Sequence, residues 1–346
     1  MEELVNKFIQ EAMALKKSPD SVPWKEDEPW TQPFYSWNAQ TASWDTVHSS
    51  PTSSSSSAET ADIHALAVYS WNIDAILPFA EERMEAAFAY LQELTKRHVA
   101  ATSTTAVVIK LQECVLSDLA TITEKQWIRD SFYITDLDDT NWSSGAYGTT
   151  MLVDRRLAIS SCFRLHYSKT RMERDALFVD AIAPSKPDKV IRICNTHLES
   201  LALEPPYRPA QMQLVARYMH AEKVHGGVVS GDFNAVQAED DTLHSVNGLK
   251  DAYLELGGAQ GDQAGCTWGQ QALPAYRERF GLSRMDKVFF RGEGLKLQSL
   301  ERFGADVVVN TREARDRLLN LGFEKAWVTD HLGVYALFKL ASGLHL

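Results

Sequence analysis

Residues 190–200 read VIRICNTHLES: an apolar, β-branched run passes directly into Asn195, Thr196, His197, Glu199 and Ser200. The run predicts a buried strand, and the polar cluster at its end predicts chemistry where the strand stops. The same grammar recurs along the chain. Asn72 and Asp74 follow LAVYSW (66–71), and Gln112 and Glu113 follow AVVIKL (106–111). Asp232 and Asn234 follow VVSG (228–231), Asp286 lies within SRMDKVFF (283–290), and Asp330–His331 precede the last apolar run. Further strand-like runs are YGTTMLVD (147–154), LAISSCFRLHY (157–167), ALFVDAIA (176–183), LKLQSLERF (295–303) and HLGVYALFKL (331–340). Helical spacing of apolar residues predicts helices over 2–16, 79–99 and 208–224. About ten strands with interspersed helices but no strict βαβ repeat predict an α/β fold of two packed sheets with helices outside. The absence of GxGxxG and GxxxxGK[ST] disfavours dinucleotide-binding and P-loop chemistry.

The composition is that of a globular protein. Of 346 residues, 45% are hydrophobic and 23% charged, which excludes wholesale disorder and collagen-like structure. No apolar run approaches the roughly 20 residues of a membrane helix. The first residues, MEELVNKFIQEAMALKK, are interrupted by charges and do not read as a signal peptide. The four cysteines form no CxxC pair, so a reduced, intracellular protein of the nucleus or cytoplasm is expected, not a secreted one. The net charge of −11 disfavours a broad grip on nucleic acid. Residues 164–192 nevertheless carry seven bases against four acids. That segment reads either as an edge for a short phosphate contact or as a solvated strand rim. Residues 1–62 read as an N-terminal segment ahead of a catalytic domain over 63–346. It comprises a helix, a stretch with Trp24, Trp30, Trp37 and Trp44, and a serine-rich tether. The tryptophans imply an extended strap along the body or a motif for a protein partner.

Each strand-end polar residue taken alone is an ordinary helix cap or turn residue. Six such clusters in apolar contexts are harder to dismiss, because polar groups there are costly unless paired. The residue types suit one task. Carboxylate and amide oxygens without cysteine suit a hard cation, Mg²⁺ or alternatively Mn²⁺, shared with substrate phosphate. Two histidines, one beside an acid, suit charge stabilisation or proton transfer at phosphorus. Metal-assisted phosphodiester hydrolysis is the reaction class that follows.

The ordered set SWNIDA (70–75), LQE (111–113), NTHLES (195–200), GDFNA (231–235), TW (267–268), SRMDKVFFR (283–291) and TDHLG (329–333) resembles the endonuclease/exonuclease/phosphatase superfamily. Within it the likeness is closest to the 5′-tyrosyl-DNA phosphodiesterases, with KTRMERDALFV (169–179) similar to their basic segment. The resemblance implies a four-layer α/β sandwich with two central mixed sheets flanked by helices. It implies Glu113 as metal ligand with Asn72 beside metal and phosphate, and Asp330 as an outer-shell acid. Asp232 would activate the attacking water, with Asn234 supporting the phosphate. His331, oriented by Asp286, would stabilise the transition state, and His197 would be a second phosphate contact. Trp268 would carry the terminal base, while Arg174 and Ser200 would line the substrate groove.

Some positions depart from that pattern. Leu201–Ala202 stand where those enzymes have Thr-Arg, so Arg208 becomes the candidate replacement phosphate contact. GDFN replaces GDTN, and TWG replaces TWD. The expected partner is a single-stranded DNA 5′ end bearing a tyrosyl peptide, with no membrane. The rivals are a nuclease or phosphatase for another phosphoester, and a silent scaffold.

Overall fold

The structure, a computed structural model, describes residues 1–47, 63–100, 103–183 and 185–346. The serine-rich tether lies outside the described residues. The chain begins with helix α1 (Glu2–Leu15) and three short strands, β1 (Pro29–Thr31), β2 (Phe34–Asn38) and β3 (Ser43–Val47). Strand β4 (Ala65–Asn72), helix α2 (Ala80–Val99) and strand β5 (Thr105–Cys114) follow, and β4 and β5 are parallel neighbours. Helices α3 (Leu116–Glu124) and α4 (Gln126–Ser131) lead into β6 (Phe132–Ile134), β7 (Gly148–Asp154), β8 (Ile159–His166), β9 (Asp175–Ala183) and β10 (Lys186–His197). Helix α5 (Arg208–Met219) precedes β11 (Val224–Asp232), β12 (Lys250–Asp251), β13 (Asp286–Arg291), β14 (Leu295–Phe303) and β15 (Gly333–Leu340).

Two mixed sheets result, of order β1-β8-β9-β10-β11-β13-β12 and β14-β15-β4-β5-β7-β6-β2-β3. The period-two alternation of the central strands explains why they stack. In β5, Val107, Ile109 and Leu111 face a core shared with α2, α3 and α4, while Ala106 and Val108 face the other sheet. On that inner face they meet Val179, Ile191, Ile193 and Val228. A third core lies between the seven-stranded sheet and α5, around Phe178, Met212, Val215 and Phe289. Helix, sheet, sheet and helix make the four layers. Strands apolar on both faces are what such layering demands.

The tryptophan segment is woven into both sheets. β1 pairs with β8 and the β2–β3 hairpin pairs with β6. Trp24 stacks on His166 with centroids 4.1 Å apart, and Trp30 Nε1 donates to Asn141 Oδ1 at 3.2 Å. Trp37 and Trp44 meet edge to face across the hairpin. These strands were not legible because each is short and rich in Ser, Thr and Asn. Helix α5 also ends five residues earlier than its apolar spacing predicts.

Polar residues occupy the inner faces where the central strands end. Asn195 Nδ2 donates to Leu111 O at 2.9 Å and Thr150 O at 3.0 Å, and its Oδ1 accepts from Gln112 Nε2 at 2.7 Å. Lys110 Nζ crosses the same interface to Cys194 O and Ser230 Oγ, and burial lowers its pKa to about 7. Asn195→Leu strands the Gln112 amide and two carbonyls, and should cost about 2–4 kcal/mol. Urea unfolding measures this; a loss under about 1 kcal/mol would show that these groups re-pair.

Candidate active site

The parallel pairs β4–β5 and β10–β11 end at one edge of the sandwich, in register. Asn72 lies opposite Gln112, and His197 lies opposite Asp232. Strand carboxyl ends in layered α/β folds are where side chains can converge on a ligand. Gly231, just before Asp232, permits the approach: a Cβ there would sit 1.7 Å from Thr196 O. Glu113 and Asn234 hold left-handed backbone, with φ of 59° and 47°, and turn their side chains at strand ends.

Asn72 is the hub. Its Nδ2 donates to Asp232 Oδ2 at 3.0 Å and Glu113 Oε1 at 3.2 Å, while its Oδ1 accepts from the Asp74 amide. Glu113 Oε2 accepts from the Ala75 amide at 3.0 Å. Asp232 Oδ1 accepts from the Asn234 amide at 2.8 Å, and Asn234 Nδ2 donates to Leu198 O. Burial raises Asp232 to about 6, against the opposing effect of His331.

The two histidines are held in opposite states. Arg174 Nη1 lies 2.6 Å from His197 Nδ1. A guanidinium only donates, so Nδ1 accepts and the neutral ring carries its proton on Nε2. That Nε2 has no hydrogen-bond partner and lies 3.5 Å from Asp232 Oδ2 and 3.7 Å from Glu113 Oε1. Burial, then Arg174 and His331, push its pKa well below the ordinary value. His331 Nδ1 lies 2.8 Å from Asp286 Oδ2, and its Nε2 lies 3.8 Å from Asp232 Oδ2 and from Asp330 Oδ1. Burial opposes its charge, but Asp286, Asp232 and Asp330 outweigh it and raise the pKa well above normal.

One ligating atom each from Glu113, His197 and Asp232 lies within 4.8 Å of the others. Because His197 Nε2 bears a proton, its lone pair is not offered to a cation. The oxygens of Glu113 and Asp232 remain, a donor set that fits a hard divalent ion. Asp330 sits one step out, where its Oδ2 accepts from Trp268 Nε1 at 2.7 Å.

Other sequence-based expectations are corrected here. Trp268 is only 9% exposed, leaving little ring face for a base; the exposed aromatic beside it is Phe280. Arg208 is buried, donating to Asp240, Gln237 and the carbonyls of Glu199 and Leu201. It braces the 199–203 loop and has no group free for phosphate. Three of the seven bases of residues 164–192, Arg164, Arg174 and Arg192, are buried, while Lys169, Arg171 and Lys186 are exposed. Arg164 is buried against Asp136 and Asp175, and Arg192 against Asp180. Arg174 Nη2 donates to Ser200 Oγ at 2.8 Å, which joins Ser200 to the site through His197's own support.

Three positioning residues escaped the sequence. Arg83 on α2 is fully buried and donates to the carbonyls of Ile73, Asp74, Leu77, Pro78 and Val328. It ties the loop after β4 to the approach to His331. The available signal was an arginine in the apolar stripe of α2, four residues before Ala87 and eight before Leu91. Gln211 and Thr170 hold Glu199, and Thr170 Oγ1 also accepts from the Arg174 amide.

Nitrogen-15 spectra of the metal-free protein at pH 7 should show His331 doubly protonated and His197 neutral with its proton on Nε2. His197 should stay neutral as the pH falls through the ordinary histidine value of about 6.5. Titration of His197 near 6.5 would contradict the Arg174 arrangement.

Residues 69–331 match the Endonuclease/Exonuclease/phosphatase family. Similar solved structures include D. rerio TDP2 humanized by 14 mutations, with TM-score 0.60 at 17% identity, covering 80% of this chain and 99% of that one. D. rerio TDP2 complexed with single strand DNA product gives 0.58 at 17% identity, with coverage of 80% and 99%. Truncated Caenorhabditis elegans TDP2 gives 0.56 at 20% identity, with coverage of 80% and 97%. At these identities the likeness is one of fold. No curated protein matches the chain.

Proposed function

The chain belongs to the endonuclease/exonuclease/phosphatase family, and from that footing we propose that it is a Mg²⁺-dependent phosphodiesterase acting on a 5′-phosphotyrosyl bond at a DNA 5′ end. The observation that carries the reading is the buried, unpartnered Nε2–H of His197, facing the Glu113 and Asp232 carboxylates opposite the charged His331. A donor so placed lacks an acceptor, and a phosphate oxygen supplies one. Glu113 and Asp232 would hold the cation, which supplies Lewis acidity toward the phosphate. Asp232 would accept a proton from the attacking water. His331, charged and fixed by Asp286, would offset the negative charge that builds on the phosphoryl oxygens. Asn72 and Asn234 would orient these groups.

A phenolate leaving group has a pKa near 10, so it departs without a strong general acid. Among the described residues, no lysine joins the site's hydrogen-bond network as an acid, which favours such a leaving group over a sugar alkoxide. D. rerio TDP2 has been solved with a single strand DNA product, which supports a single-stranded end as substrate. Manganese would serve as the alternative ion, and the nucleus or cytoplasm is the corresponding setting. A second reading, a phosphoesterase for another ester, is favoured by the missing arginine after NTHLES and by the buried Arg208. A silent scaffold is disfavoured by the complete polar set.

A panel of 5′-phosphotyrosyl, 3′-phosphotyrosyl, abasic and intact DNA with small phosphomonoesters, assayed with Mg²⁺ and with chelator, tests the proposal. Turnover should be confined to the 5′-phosphotyrosyl end and vanish in chelator. Glu113→Gln should abolish it with folding intact. Asp232→Asn and His331→Ala should each lose at least ~10²-fold in rate. Full activity in chelator would sink the metal assignment, and preference for a phosphomonoester would favour the second reading.

A further inference from the structure

Helix α1 lies before the family-matched region, yet it touches both sides of the site. Met1 and Val5 line a cavity of about 120 Å³ whose other walls include Ile76, Leu273, Tyr276 and Phe323, with Glu113, Asp330 and His331 on its polar side. One turn on, Phe8 packs on Tyr147 with centroids 5.4 Å apart. Tyr147 in turn lies under the Arg174 guanidinium that supports His197. The helix therefore runs from the His331 wall to the His197 wall, across the mouth between them.

Its attachment is uneven. The carboxyl end is anchored: Lys16 pairs with Glu173 at 2.5 Å and bridges to Ser144, and Leu15 O accepts from the Gly145 amide. Along the helix only Ala12 is buried, and Ile9 and Met13 are exposed. Glu2 and Glu3 occupy the first turn, at the end nearest the site's carboxylates. A cavity of about 150 Å³ admits one benzene, so the space beneath the first turns accepts about one ring beside the catalytic groups. A polynucleotide strand is far larger, and each added phosphate meets the acidic first turn.

Resting on the phosphodiesterase reading, we propose that α1 is the specificity-determining wall of this cleft. Docked, it admits a phosphoester with one ring-sized substituent there. A DNA strand enters only when the first turns swing away about the Leu15–Lys17 anchor.

Phe8→Ser/Ala12→Glu weakens docking without touching the cavity lining. The probes are thymidine 5′-(p-nitrophenyl phosphate) and a single-stranded 12-mer with a 5′-phosphotyrosyl group. The variant should raise kcat/KM on the 12-mer by roughly tenfold, the effect of removing a closed state populated about ten to one, and leave the small ester within about twofold. Where the wild type turns over the 12-mer, unchanged turnover in the variant, or equal loss on both probes, would overturn the proposal. Hydrogen exchange of the unsubstituted chain provides a second reading that needs neither the variant nor turnover. Exchange of the 2–12 amides should quicken when the 12-mer binds and not when the small ester does. Slower or unchanged exchange with the 12-mer bound, or failure of both wild type and variant to bind it, would also overturn the proposal. If neither probe is hydrolysed but the exchange responds, the phosphodiesterase reading fails and the wall stands.

Discussion

The site depends on how Asn195 joins the two sheets. Its amide uses three hydrogen bonds, one accepted and two donated, and every partner belongs to the opposite sheet. Gln112 immediately precedes Glu113 on β5, and Asn195 stands two residues before His197 on β10. Because side chains alternate along a strand, Asn195 and His197 share the inner face. The polar tie therefore fixes the spacing of the sheets directly beneath the groups that must meet. Apolar packing between sheets tolerates sliding better than a saturated amide does, since a displaced amide leaves buried groups unpaired.

Above that tie, the site holds charge by mutual constraint. Asp232 faces Asn72, His197 and His331 at once, and Asp286 holds His331 from behind. Burial and then Arg174 keep His197 neutral, Arg174 sets its tautomer, and three acids keep His331 charged. Two histidines of one reference pKa are thus separated by environment, one into a neutral donor and the other into a fixed cation. Environments that push such groups apart are how a site assigns distinct roles to identical residues.

Much of this was legible because the central strands are apolar on both faces until they reach the edge, where each turns polar. That pattern marked Asn72, Glu113, His197, Asp232, Asp286 and His331 without any knowledge of their contacts. Pairing was not legible. Arg164, Arg192 and Arg208 looked like available cations, but their partners Asp136, Asp175, Asp180 and Asp240 are distant in sequence and reach them only in the fold. Arg83 was hidden for the opposite reason, since its partners are backbone carbonyls that no side-chain motif announces. Trp268 read as a platform for a base, yet its indole N–H serves Asp330 and its ring is covered.

These buried pairs also change what the net charge means. An arginine enclosed by carboxylates contributes almost nothing to the potential felt by an approaching anion, and separating it would cost more than a surface contact returns. Along residues 164–192 the acidic surplus is consequently offset at the surface only by Lys169, Arg171, Lys186 and Lys189. On the proposed reading, attraction for phosphate would come from a few short-range donors at the strand ends, together with a cation that Glu113 and Asp232 would hold. Such a site would recognise one phosphate by geometry rather than many by charge, and its selectivity would rest on what the surrounding walls allow beside that phosphate.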